Sequence, residues 1–120
     1  MSPALRIESL GAHAARVSGP LGFHEAAAAA PRWAELAGSG ELALDAGGLE
    51  RVDSATLAVL LEWAARLRTA GRRLRVVSAP AGLAALARLC AAGHLLGLDA
   101  VRDDATAPEA SALPAGTSGR

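Results

Sequence analysis

The sequence contains no Lys and no Tyr, and only one Phe, two Trp, one Met and one Cys among 120 residues. A single cysteine, Cys90, excludes an intramolecular disulfide and any multi-cysteine zinc site. With aromatics at 2%, the core has to be built from Leu, Val and abundant Ala, which favours close-packed helices over a large all-β sandwich. All twelve basic residues are Arg, and twelve Asp and Glu balance them. That neutrality offers no electrostatic reason to expect nucleic acid or an anionic membrane surface as partner. No apolar run approaches the roughly 20 residues that span a bilayer. The opening MSPALRIESL has neither the basic n-region nor the apolar h-region of a secretory signal. What these exclusions leave is one domain of common size, expected in the cytoplasm.

What is present is ordered by period and punctuation. Leu5-Arg6-Ile7-Glu8 and Ala15-Arg16-Val17-Ser18 alternate apolar and polar residues around a Gly11-Ala12-His13 turn, which predicts an opening hairpin ended by Gly19-Pro20. A helix is expected from Phe23 to about Ala37, kinked or restarted at Pro31 and stopped by Gly38-Ser39-Gly40. Glu41 to Asp45 reads as a third strand, followed by a loop from Ala46 to Val52. The strongest signal is a helix from Asp53 or Ser54 to Ala70, with Asp53 as N-cap and Gly71 closing its end. Leu57, Leu60, Leu61, Ala64 and Leu67 share its predicted core face. Leu74 to Ser78 is a fourth strand whose Val-Val centre suggests burial on both faces. Pro80 opens a last helix with Leu83, Leu86, Ala87 and Cys90 on one stripe, and Leu95 to Leu98 is expected to dock on the sheet edge. Residues 103–120 are too polar and Pro-rich to bury themselves and are expected to form a disordered tail, leaving a domain of residues 1–102. The order of elements is that of an α/β domain with two right-handed parallel crossovers.

Catalytic signatures are missing. Gly-x-Ser-x-Gly, the Walker A loop, His-Glu-x-x-His and Gly-x-Gly-x-x-Gly do not occur. His13, His24 and His94 have no spacing that gathers them around a metal, and Cys90 sits on an apolar stripe without a partner. No cofactor is expected. A hydrolase built on Ser54 would lack a base and an oxyanion constellation, so the reading is non-enzymatic.

The informative stretch is Val52-Asp53-Ser54-Ala55-Thr56-Leu57, a loop running into a helix N-terminus where free amides favour an anion or a partner's acceptor. A plain helix cap is the competing account of the same residues. Opposite the predicted core face lie Ala55, Ala58, Val59 and Ala65 among Glu62 and Arg66, with Trp63 at the border. Such a strip of small and apolar side chains lets another protein approach closely, with Trp63 or Arg66 as anchors. The expected partner-binding set is therefore Asp53, Ser54, Ala55, Ala58, Val59, Glu62, Trp63 and Arg66. Arg66, Arg68, Arg72, Arg73 and Arg75 form a local basic run, either a solvated face or a further contact.

The segment ELALDAGGLERVDSATLAVLLEWAARLRTAGRRLRVVSAP, with the lead-in Gly19-Pro20-Leu21-Gly22-Phe23, resembles the STAS domain family (sulfate transporter and anti-sigma factor antagonist). With its flanks the resemblance covers Leu5 to Leu98. It implies a small mixed four-stranded sheet with helices mainly on one face. In the anti-sigma factor antagonist branch the junction reads Asp-Ser-Ser-Gly-Leu and the second Ser is phosphorylated. Here that position is Ala55, which has no oxygen to modify, and Thr56 replaces the Gly. Leu57-Ala58-Val59-Leu60-Leu61-Glu62-Trp63 is more similar to the MlaB-like STAS subunits of phospholipid ABC transporters. That likeness implies a subunit that binds a cytoplasmic ABC ATPase, with Ser54 at the contact. The anti-sigma factor remains the alternative partner.

Overall fold

The alternating apolar residues of the first twenty positions do form a hairpin. In the structure, a computed structural model describing residues 4–36 and 38–98, strand β1 (Arg6–Ser9) pairs antiparallel with β2 (Ala14–Pro20). β2 then pairs in parallel with β3 (Leu42–Arg51), and β3 with β4 (Leu74–Val77), giving a four-stranded mixed sheet of order β1-β2-β3-β4. Helix α1 (Ala26–Ala29) and a 3-10 helix (Ala30–Glu35) connect β2 to β3. Helix α2 (Ser54–Thr69) connects β3 to β4, and α3 (Ala81–Leu89) and a second 3-10 helix (Gly93–Leu96) follow. This is the α/β architecture expected. The expected tail, residues 103–120, lies outside the described residues, as does Ala37.

Burial follows the pleat. Ala15 and Val17 of β2, Leu42, Leu44 and Ala46 of β3, and Leu74 and Val76 of β4 are buried beneath the helices. Between them Arg16 and Asp45, joined to each other and to Glu8, face the open side of the sheet. β4 is thus buried on one face only, because the helices cover one side and Val77 remains half-exposed. The Leu95 to Leu98 segment closes over the β4 edge as expected, burying Leu96 and Leu98.

Three boundaries differ from expectation. Gly19-Pro20 ends the pairing with β1, at Arg6 opposite Ser18, but β2 continues along β3 to Pro20 opposite Arg51. Pro20 lacks an amide where β2 has only one neighbour, so the ladder tolerates it. Ala46 to Arg51 is strand rather than loop, carrying an irregularity in which Arg16 and Ser18 face Asp45 and Gly48. That extra residue breaks the alternation the eye follows. A Cβ on Gly48 would come within 2.7 Å of the Ser18 Cβ, so the strands approach where only glycine fits. The helix expected over 23–37 shrinks to one α-turn and a 3-10 segment, since Pro31 cannot supply the next helical amide.

The phase of α2 also differs. Leu57, Leu60, Ala64 and Leu67 are buried as expected, but Leu61 is half-exposed while Val59 and Trp63 are buried. Trp63 is fully enclosed, and its indole Nε1 donates to the carbonyls of Ala29 and Ala30, both at 3.1 Å. The short α1 region has no core of its own and packs on this ring. Arg72 is a second buried anchor. Its guanidinium donates to the carbonyls of Leu36 (2.7 Å), Ala12 (2.9 Å) and Gly40 (3.0 Å), closing three loops together. Cys90 is exposed, not on the buried stripe, because α3 ends at Leu89 and Ala91 turns the chain at φ 54°.

Trp63→Ala is expected to destabilise by about 3–5 kcal/mol, as large aromatic truncations do. Trp63→Phe keeps most of the volume but removes both indole hydrogen bonds, and should cost about 1–3 kcal/mol. Urea unfolding followed by far-UV circular dichroism measures both. A near-neutral Trp63→Phe would show that the indole hydrogen bonds hold nothing.

Candidate functional site

Parallel strands deliver their carboxyl ends to the same side of a sheet, and loops meet there. β2 ends at Pro20 and runs through Leu21-Gly22-Phe23, while β3 ends at Arg51 and runs into α2 at Ser54. Asp53 joins the two. Its Oδ1 accepts from the amides of Ala55 (2.8 Å) and Thr56 (3.2 Å), and its Oδ2 accepts from the amide of Phe23 at 3.1 Å. Thr56 completes a capping box by accepting from the Asp53 amide at 3.0 Å. Its hydroxyl proton goes to the carbonyl of Leu21 at 2.5 Å. A Cβ on Gly22 would lie 3.0 Å from Oδ2 of Asp53, so a side chain here would press on the bonded carboxylate.

Desolvation raises the Asp53 carboxyl pKa, but the hydrogen bonds from the amides of Phe23, Thr56 and Ala55 outweigh it. The group is held below its ordinary value of 3.8. Thr56 is fully buried with its hydroxyl engaged, so it presents nothing to a kinase in the folded protein. Ser54 is exposed at the first position of α2, and Ala55 is half-buried.

The expected partner-binding residues separate by burial. Asp53 is the cap just described. Ser54, Ala58 and Arg66 are exposed, and Glu62 is half-buried and bonded to Arg66 at 2.7 Å. Val59 is only 4% exposed and Trp63 is enclosed, so neither is offered to a partner. The surface that α2 does present runs through Ser54, Ala58, Leu61 and Ala65, one face at helical spacing. Sequence reasoning placed Leu61 in the core and gave Phe23 no role. Phe23 is 75% exposed, with its backbone tied to Asp53 and its ring edge-on to His24 at 5.7 Å. Its place in the Gly-Phe lead-in was visible, but its exposure depends on the early loss of helix before Ala26.

Among the described residues no three His, Cys, Asp or Glu side chains converge on one point, and no helix is long and apolar enough to cross a membrane. The arrangement is a hydrogen-bonded cap carrying a small-residue surface and one aromatic ring.

A family model described as "Mlab, STAS domain" matches residues 9–97. The chain therefore belongs to that STAS family, whose domains are generally non-enzymatic protein-interaction modules. No curated protein matches it at a significant level.

Because the Asp53 pKa is lower folded than unfolded, its stabilising contribution is complete above its ordinary value of 3.8 and is lost as pH falls through the lower folded value. Thermal midpoints of the wild type should therefore drop more steeply below that pH than those of Asp53→Asn. Parallel profiles would deny Asp53 this part. Thr56→Val should cost about 1–3 kcal/mol by leaving the Asp53 amide and the Leu21 carbonyl unpaired, whereas Thr56→Ser should cost less.

Proposed function

We propose that this STAS-family chain is a non-enzymatic subunit that binds and supports the cytoplasmic ATPase of a phospholipid ABC transporter of the lipid-asymmetry type. On this reading it works in the cytoplasm, at the inner-membrane face only through its partner, without inserting into the bilayer. The carrying observation is Phe23, 75% exposed and tied through its backbone to Asp53, at the start of an α2 face of exposed Ser54, Ala58 and Ala65 and half-buried Leu61. Small side chains allow a partner backbone to come close, and an aromatic ring at the rim supplies an anchor. The Glu62–Arg66 ion pair borders this face and satisfies its own charges, so apolar contact and shape carry the affinity. Asp53 positions the surface without touching the partner, and Ser54 is the hydroxyl left free at the contact.

The description of the matching family supports the transporter branch. So does the chemistry of the loop. An anti-sigma factor antagonist is switched by phosphate at the position here occupied by Ala55, and the neighbouring Thr56 is closed by its bond to Leu21.

Affinity capture from a lysate should retain an ABC ATPase. Recovery of an anti-sigma kinase in its place, with phosphate on Ser54, would overturn the reading. Phe23→Ala and Ala58→Arg should each weaken ATPase binding by roughly tenfold or more while circular dichroism stays unchanged. Val59→Asp is expected to unfold the chain, since it places an unpaired carboxylate in the core.

A further inference from the structure

The other end of α2 borders a cleft of about 680 Å³ between the helix, the turn into β4 and the 3-10 segment Gly93–Leu96. Its floor is apolar, formed by Ala64, Leu74 and Leu95, and its remaining walls carry Arg68, Arg73, Arg75 and His94. Among the described residues no acidic side chain lines it. The basic run of the sequence divides sharply by partner. Arg66 is bonded to Glu62, Arg72 is spent on buried carbonyls, and Arg75 shares Glu41 at 3.3 Å. Arg68 and Arg73 are exposed and form no ion pair or side-chain hydrogen bond among the described residues.

We propose that this cleft binds a small organic phosphate, its phosphate oxygens taken by Arg68, Arg73 and the free donors of Arg75, its carbon body lying on Leu74 and Leu95. Arg68 and Arg73, without a carboxylate among the described residues, repel each other across a concave space, and an anion removes that repulsion. Planar guanidinium forks match phosphate oxygens in pairs, and the volume is that of a small-molecule site. The apolar floor favours a phosphate attached to carbon over the bare ion. A phosphorylated metabolite and a phospholipid headgroup share this chemistry. The cleft adds a ligand site to a chain read above as a docking module, and it lies away from the Phe23 surface.

Titration of the full chain with phenyl phosphate, against phenol at matched ionic strength, should give saturable 1:1 binding. Amide shifts in nitrogen-proton spectra should gather at residues 68–75 and 94–97. Arg68→Ser and Arg73→Ser should each weaken binding by about tenfold, and Arg6→Ser on the far edge strand should not. Sedimentation with phosphatidylcholine vesicles, with and without phosphatidic acid, identifies the source. Arginine-dependent retention on phosphatidic acid assigns a headgroup, and its absence with phenyl phosphate bound assigns a soluble ligand. Failure to bind either probe, or binding indifferent to Arg68 and Arg73, overturns the proposal. So does binding that emerges only when Asp99, Asp103, Asp104 and Glu109 are changed to their amides, which would mean the chain's own acids hold the cleft.

Discussion

The structure hangs on one joint, where the side chains of Asp53 and Thr56 bind each other's backbone amides and reach across to Phe23 and Leu21. A helix N-terminus leaves amides without helical partners, and a capping box satisfies them locally. This one does more, because the same two side chains also fasten the end of β2. The start of α2 is thereby fixed in place relative to the sheet, and its rotation follows. Once Thr56 points inward, Leu57, Leu60, Ala64 and Leu67 go into the core, Ser54, Ala58 and Ala65 turn outward, and Leu61 sits half-buried between them. The surface offered to a partner is a geometric consequence of the cap.

The scarcity of aromatics gives a single ring unusual weight. The connection from β2 to β3 has only one α-turn and a 3-10 segment, too short to be stable alone. Trp63 supplies both the apolar surface against which it packs and the indole donor for the carbonyls at its midpoint. A buried Trp needs such a partner for its N–H. Here the need is met by the segment that most needs holding. Arg72 performs the polar counterpart, binding loop carbonyls at the opposite end of α2 that no strand or helix satisfies.

Much of this was legible in the residues. The order of elements along the chain, the two parallel crossovers, the Asp53 cap and the closing glycine of α2 all follow from local signals that agree with one another. What was hidden depends on contacts between distant segments. The Gly47-Gly48 pair carries the signature of a loop, and only the close approach of Ser18 turns it into an irregularity inside a strand. Val59 reads as surface and Trp63 as border when the core side of α2 is centred on its leucines. The sheet lies under those leucines, but the α1 region covers the adjacent flank, and no periodicity within α2 can announce that second neighbour.

The basic run shows the same limit from the electrostatic side. Five arginines close together in sequence read as one feature, yet their environments have little in common. One pairs along the helix, one across to Glu41, and one is buried among carbonyls, while Arg68 and Arg73 face the cleft. Arginines in the last turn also benefit from the negative end of the helix dipole, which eases their crowding without neutralising it. α2 therefore has two unlike ends. At its start the Asp53 carboxylate is absorbed by the cap, and a neighbour meets small side chains and an aromatic ring beside the exposed Arg51. At its finish charge is left over around an apolar hollow. A neutral total conceals both conditions, because net charge sums over the chain whereas recognition depends on which charges remain unpaired at one place.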